Sequence, residues 1–66
     1  MRVHVNGDLR EFRDGSTVAE LLTEIGTTRQ GVAVALEGEV VQRGRWAEIV
    51  VADGARLEIL TAVQGG

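Results

Sequence analysis

Between Thr17 and Gly26 the sequence commits to a helix that cannot stand alone. Thr17 precedes Glu20 by three residues, the pattern of a capping box, in which each side chain bonds the other residue's backbone N–H. Val18, Leu21, Leu22 and Ile25 follow at helical spacing and make one face apolar. Gly26 stands where a left-handed residue closes a helix. The resulting helix has about two turns, too few to be stable in water by itself. It must lie on a sheet, and the rest of the 66 residues must supply that sheet.

Strand signals flank it on both sides. Met1, Val3 and Val5 alternate with Arg2, His4 and Asn6, the period of a half-buried strand. Asn6-Gly7 tolerates the positive φ of a tight hairpin. Asp8 to Arg13 reads as the return strand, where the odd spacing of Leu9 and Phe12 predicts a bulge or an early end. Asp14-Gly15-Ser16 is a turn, and Thr27 to Gln30 is polar linker. Val32 to Leu36 is apolar on both faces, which predicts a central strand, covered on one side and thinly exposed on the other. Glu37-Gly38-Glu39 turns the chain into the short Val40-Val41 strand. Gln42 to Arg45 reads as loop, Trp46 to Ile49 as one irregular helical turn, and Ala52 to Ala55 as a second turn. The last strand runs from Arg56 to about Val63, with Leu57, Ile59 and Val63 on one face. The pattern is α+β: one mixed sheet under one helix. Val3, Val5, Leu21, Leu22, Ile25, Val34, Leu57 and Ile59 form its predicted core.

Composition narrows the function. The net charge of −3 argues against nucleic acid, where a basic face is expected. It suits an acidic protein docking on basic partners. The chain has no cysteine, hence no disulfide, no thiolate nucleophile and no Cys metal site. His4 lies alone among strand residues, whereas a metal site needs several convergent ligands. The apolar runs are too short to span a bilayer and no leader pattern opens the sequence, so the expected setting is cytoplasmic. Ser16 has no histidine nearby and no triad, and the glycines punctuate turns rather than a phosphate loop. Nothing here builds an enzyme's site.

Two stretches remain. Arg43, Arg45 and Trp46 form a basic-aromatic patch. It is either a solvated loop with Trp46 lying over the edge of the core, or a docking anchor, since Trp and Arg are enriched in binding hot spots. Leu60 and Ala62, with the thin Ala33/Ala35 face, extend the candidate docking surface towards the tail. The other stretch is Gln64-Gly65-Gly66. Glycine has no Cβ, so such a tail can thread a narrow channel and present an unhindered carboxylate. Taken alone, the tail is better described as a fraying terminus.

Val5-Asn6-Gly7, Thr17-Val18-Ala19-Glu20-Leu21-Leu22, Val40-Val41-Gln42-Arg43-Gly44-Arg45-Trp46, Asp53-Gly54 and Gly65-Gly66 occur in an order and spacing that resembles the ThiS family, the sulfur carriers of thiamin biosynthesis. The resemblance covers essentially the whole chain. Gln42 stands where the family often has proline, and Ala55 where it often has aspartate. The resemblance implies a ubiquitin-like β-grasp fold over residues 1–63, with about four to five strands on one main helix, and a flexible tail over residues 64–66. It implies that Gly66 is the modified residue and that Gly65 lets the tail thread. A ThiF-like enzyme would use ATP to adenylate the Gly66 carboxylate. Persulfide sulfur, from a donor such as a cysteine desulfurase, would replace AMP and leave a thiocarboxylate for a ThiG-like thiazole synthase. The chain would need no cofactor of its own. The same residues leave open the small subunit of molybdopterin synthase, other sulfur-carrier branches, a ubiquitin-like modifier conjugated through Gly66, and a binding module with a passive tail.

Overall fold

The computed structural model describes residues 1–27 and 31–61. The chain runs through β1 (Arg2–Val5), β2 (Asp8–Glu11), α1 (Val18–Ile25), β3 (Val32–Leu36), β4 (Glu39–Val41), a 3-10 turn (Arg43–Arg45) and β5 (Arg56–Thr61). The local signals are met in detail. Asn6 and Gly7 take φ of 50° and 89° and turn β1 into β2. Thr17 Oγ1 accepts from the Glu20 N–H at 3.2 Å, and Glu20 Oε1 accepts from the Thr17 N–H at 2.8 Å, so the capping box is closed. Gly26 has φ 89°; its N–H and that of Thr27 both reach the Leu22 carbonyl, at 3.1 Å each, satisfying a carbonyl the helix end would leave bare.

The five strands form one mixed sheet in the order β2-β1-β5-β3-β4. β1 and β5 are parallel, while β1–β2, β3–β5 and β3–β4 are antiparallel. The strand at the centre is therefore β5, not β3 as its apolar run suggested. The reason is non-local: α1 carries the chain across, and the last strand inserts between the first hairpin and β3. β3 is still an interior strand, with Val34 buried and Ala33 exposed.

α1 buries Val18, Leu21 and Leu22 against Val3, Val5, Val34, Leu57 and Ile59. Ile25, placed in the predicted core, is half-buried at its margin. The core also takes in Phe12, Val41, Trp46, Val51 and Ala55. β2 ends at Glu11, the early end predicted from its broken alternation, and Phe12 turns under the sheet while Leu9 stays 53% exposed. The helical turn predicted at Trp46–Ile49 begins three residues earlier, as the 3-10 turn Arg43–Arg45. The predicted extension of the last strand to Val63, the linker residues 28–30, and the boundary between residues 63 and 64 lie outside the described residues. Among the described residues no helix is long and apolar enough to cross a membrane.

Candidate functional site

Only one face of the sheet is packed by α1. Cross-strand partners share a face, and successive residues alternate between faces. Leu57 and Ile59 of β5, and Val34 of β3, point to the helix, so Leu60 and Glu58, with Ala33 and Ala35, point away from it. The register sets Ala33 opposite Leu60, and Ala35 opposite both Glu58 and Val40. Leu60 is 68% exposed and Val40 79%. The two alanines lie between them and keep the face low. His4 and Arg56, paired across β1 and β5, lie on the same face further along the sheet. An open apolar patch on a domain this small marks an interaction site more readily than it stabilises the fold. Strand β5, which carries Leu60, runs to Thr61, after which the sequence continues to Gly66.

The basic loop lies elsewhere. It follows β4, the edge strand, and residues 46–49 pack on the start of α1: Ala19 N–H donates to Trp46 O at 3.0 Å and Val18 N–H to Ile49 O at 2.9 Å. Trp46 is 3% exposed, and its indole Nε1–H donates to Val41 O at 2.9 Å. The ring belongs to the core, and it is not the exposed anchor of the docking reading. A bulky apolar ring next to an edge strand lowers the free energy more by closing the core than by facing water. Arg43 lies over that ring, its guanidinium 6.0 Å from the ring centre. Arg45 Nε sits 3.4 Å from Glu48 Oε1, with both side chains well exposed. Arg45 lines a groove beside β4 with Leu36, Gln42 and Ile49. Of the residues proposed for one docking surface, Leu60 is on the open face, Arg43 and Arg45 are at the β4 edge, and Trp46 is inside. Ala62, Gly65 and Gly66 lie outside the described residues.

The polar side chains near the sheet mostly serve the backbone. Glu37 Oε2 accepts from the Arg56 N–H at 2.9 Å, and Asp53 Oδ1 from the Arg2 N–H at 2.7 Å. Ser16 is buried, and its hydroxyl donates to Arg13 O at 2.6 Å. The Met1 ammonium donates to Asp14 Oδ1 at 2.7 Å and Phe12 O at 2.8 Å. The hydrogen bond that the ammonium donates to Asp14 raises the ammonium pKa above its ordinary 8.0, and the same bond holds the Asp14 carboxyl below its ordinary 3.8. This pair ties the N-terminus to the turn before α1 and is remote from the end of β5. The arrangement offers a surface and a strand end after which the sequence continues to Gly66.

Sequence reasoning placed Ala33, Ala35 and Leu60 on this face but missed Val40, which it read only as part of a short strand. The sequence holds no signal for it, since Val40 and Val41 are identical side chains; Val40 faces out because Val41 pairs with the buried Val34.

A family model described as the ThiS family matches residues 3–66. The sulfur carrier protein ThiS of Escherichia coli strain K12 is 30% identical over 66 residues, covering all of both chains. Thiazole synthases of Paramagnetospirillum magneticum and Magnetococcus marinus are 38% and 30% identical over the same 66 residues. The chain spans 20% of the length of each of those two proteins. The crystal structure of the thiamine biosynthesis protein ThiS from Geobacter metallireducens superposes with a TM-score of 0.86 at 32% identity, covering all of both chains.

Proposed function

The chain belongs to the ThiS family, and we propose that it is the sulfur carrier of thiamin biosynthesis, a cosubstrate of partner enzymes rather than an enzyme. The Gly66 carboxylate is the group that reacts. A carboxylate is resonance-stabilised and a poor electrophile, so a ThiF-like partner must first convert it to an acyl-adenylate at the expense of ATP. The terminal sulfur of a persulfide, drawn from a donor such as a cysteine desulfurase, then attacks the acyl carbon and expels AMP, and a thiol cleaves the resulting acyl disulfide, releasing the thiocarboxylate and leaving the donor as a disulfide. A ThiG-like thiazole synthase accepts that sulfur. Gly65 threads the tail, because a residue without Cβ passes a narrow channel in any backbone conformation. The open face at Leu60, Ala33, Ala35 and Val40 is the surface each partner holds in turn. These steps place the protein in the cytoplasm, with ATP at hand.

One observation carries this reading. The match to the Escherichia coli carrier spans both chains in full, and the match to the family model runs through Gly66. The thiazole synthases that contain a similar stretch support the choice of acceptor. The test is the intact mass of the protein isolated from cells making thiamin. A species in which one oxygen of the C-terminal carboxylate is replaced by sulfur is expected. Its absence, together with no ATP–pyrophosphate exchange when the protein is mixed with a ThiF-like enzyme, would refute the proposal.

A further inference from the structure

β5 outruns the strand beside it. β1 ends at Val5, opposite Leu57, whereas β5 continues to Thr61. The parallel ladder between them carries the His4 N–H to Ala55 O and the Asn6 N–H to Leu57 O, each at 2.9 Å. At Asn6 the backbone takes φ 50° and leaves the sheet for the hairpin turn. The next ladder position on β5 is Ile59, and no residue of β1 remains to meet it. The Asn6 side chain does so instead. Its Oδ1 accepts from the Ile59 N–H at 2.8 Å, and its Nδ2 donates to Ile59 O at 3.1 Å. A carboxamide has the donor and acceptor of a peptide group, and here it satisfies both main-chain groups of one residue across 53 positions of sequence.

Beyond Ile59, the described contacts hold β5 from the β3 side, through the Ala33–Leu60 and Val32–Thr61 pairs. Among the described residues, Asn6 is therefore the last fastening on the β1 side. We infer that Asn6 is a positioning residue for the reaction at Gly66: by clamping Ile59 it fixes the end of β5 from which residues 62–66 continue towards a partner's active site. The inference rests on the carrier reading. Its physical basis is that a reacting group misplaced by about 1 Å can lose about a hundredfold in rate, so the strand that launches it must be held on both sides.

Two substitutions separate the clamp from the turn. Asn6→Gly removes the carboxamide but keeps a residue at ease with positive φ, so the hairpin survives. Asn6→Asp keeps the acceptor for the Ile59 N–H and loses the donor to Ile59 O. Amide hydrogen exchange should be faster at Ile59 in Asn6→Gly by about tenfold, the scale of one lost hydrogen bond, and nearly unchanged there in Asn6→Asp. Adenylation by a ThiF-like enzyme, measured as ATP–pyrophosphate exchange well below the melting temperature, should lose about tenfold in kcat for Asn6→Gly. The KM for the carrier should stay within about twofold, since the open face is untouched. Faster exchange at Ile59 with wild-type kcat would overturn the positioning role and leave a structural clamp, with the carrier reading intact. Wild-type protection at Ile59 in Asn6→Gly would overturn the clamp itself. If the unaltered chain supports no pyrophosphate exchange at all, the carrier reading fails first, and the positioning role falls with it.

Discussion

Replacing Trp46 by Phe separates the two readings of the basic-aromatic loop. The indole is 3% exposed and donates to Val41 O at 2.9 Å inside the protein. Phenylalanine keeps the aromatic body and removes the donor. Leaving a buried carbonyl without that donor costs about 1–3 kcal/mol, and the smaller ring leaves a void worth about 1 kcal/mol more. The loss falls on a 66-residue domain whose total stability, at about 0.05–0.15 kcal/mol per residue, is only about 3–10 kcal/mol. At about 4–8 °C per kcal/mol for a domain of this size, the melting temperature should fall by about 8 °C or more. Thermal melts followed by far-UV circular dichroism measure this without relying on the lost tryptophan. Calorimetric titration with a ThiF-like partner, at a temperature where both proteins are folded, should give the same affinity. A melting temperature within about 4 °C of wild type, together with weakened binding, would refute the burial argument and restore Trp46 as an interface anchor.

Other outcomes follow from the same contacts. Leu22→Ala, at a sheet-facing side chain of α1 that is 2% exposed, should destabilise by about 2–5 kcal/mol, and an unchanged urea midpoint would mean that α1 does not pack as described. Leu60→Glu should leave the melting temperature within about 4 °C, because surface changes seldom exceed about 0.5 kcal/mol; it should weaken partner binding more than charge reversal at Arg45, and the opposite order would move the docking surface to the β4 edge. Deleting Gly66 should leave the melt unchanged and abolish ATP–pyrophosphate exchange, since the carbonyl would fall short of the reacting position. The Met1–Asp14 pair sets a pH window. The raised ammonium pKa contributes stability that is complete below 8.0 and is lost as pH climbs through the folded value, while the lowered Asp14 pKa contributes above 3.8 and is lost as pH falls through its folded value. Asp14→Asn should flatten both limbs of the stability–pH curve, and equal limbs in the two proteins would show that the pair is not coupled to folding.

Part of the open face was legible from the sequence alone. The alternation of Leu57, Ile59 and Leu60, and the small residues at 33 and 35, identified an exposed stretch on an otherwise apolar strand pair. The placement of Arg43 and Arg45 was not legible, since a loop after a three-residue strand can fold to either face. The bonds from Ala19 and Val18 to residues 46 and 49 draw it towards the helix.

Helix α1, its two caps and the Asn6-Gly7 hairpin follow from the sequence because each is decided within about four residues. Thr17 meets Glu20 one turn on, Gly26 needs only its own φ, and Asn6-Gly7 needs only two residues at ease in the left-handed region. The side-chain period of β1 and β5 is equally local. The position of β5 at the centre, its parallel pairing with β1, the burial of Trp46 and the reach of the Asn6 carboxamide to Ile59 are not. Each joins residues far apart in sequence, and its free energy exists only once the sheet has closed. A tryptophan in a basic loop and an asparagine in a turn look the same locally whether they face water or complete a core and a ladder. Tertiary pairing makes that choice, by presenting the Val41 carbonyl to one and the backbone of Ile59 to the other.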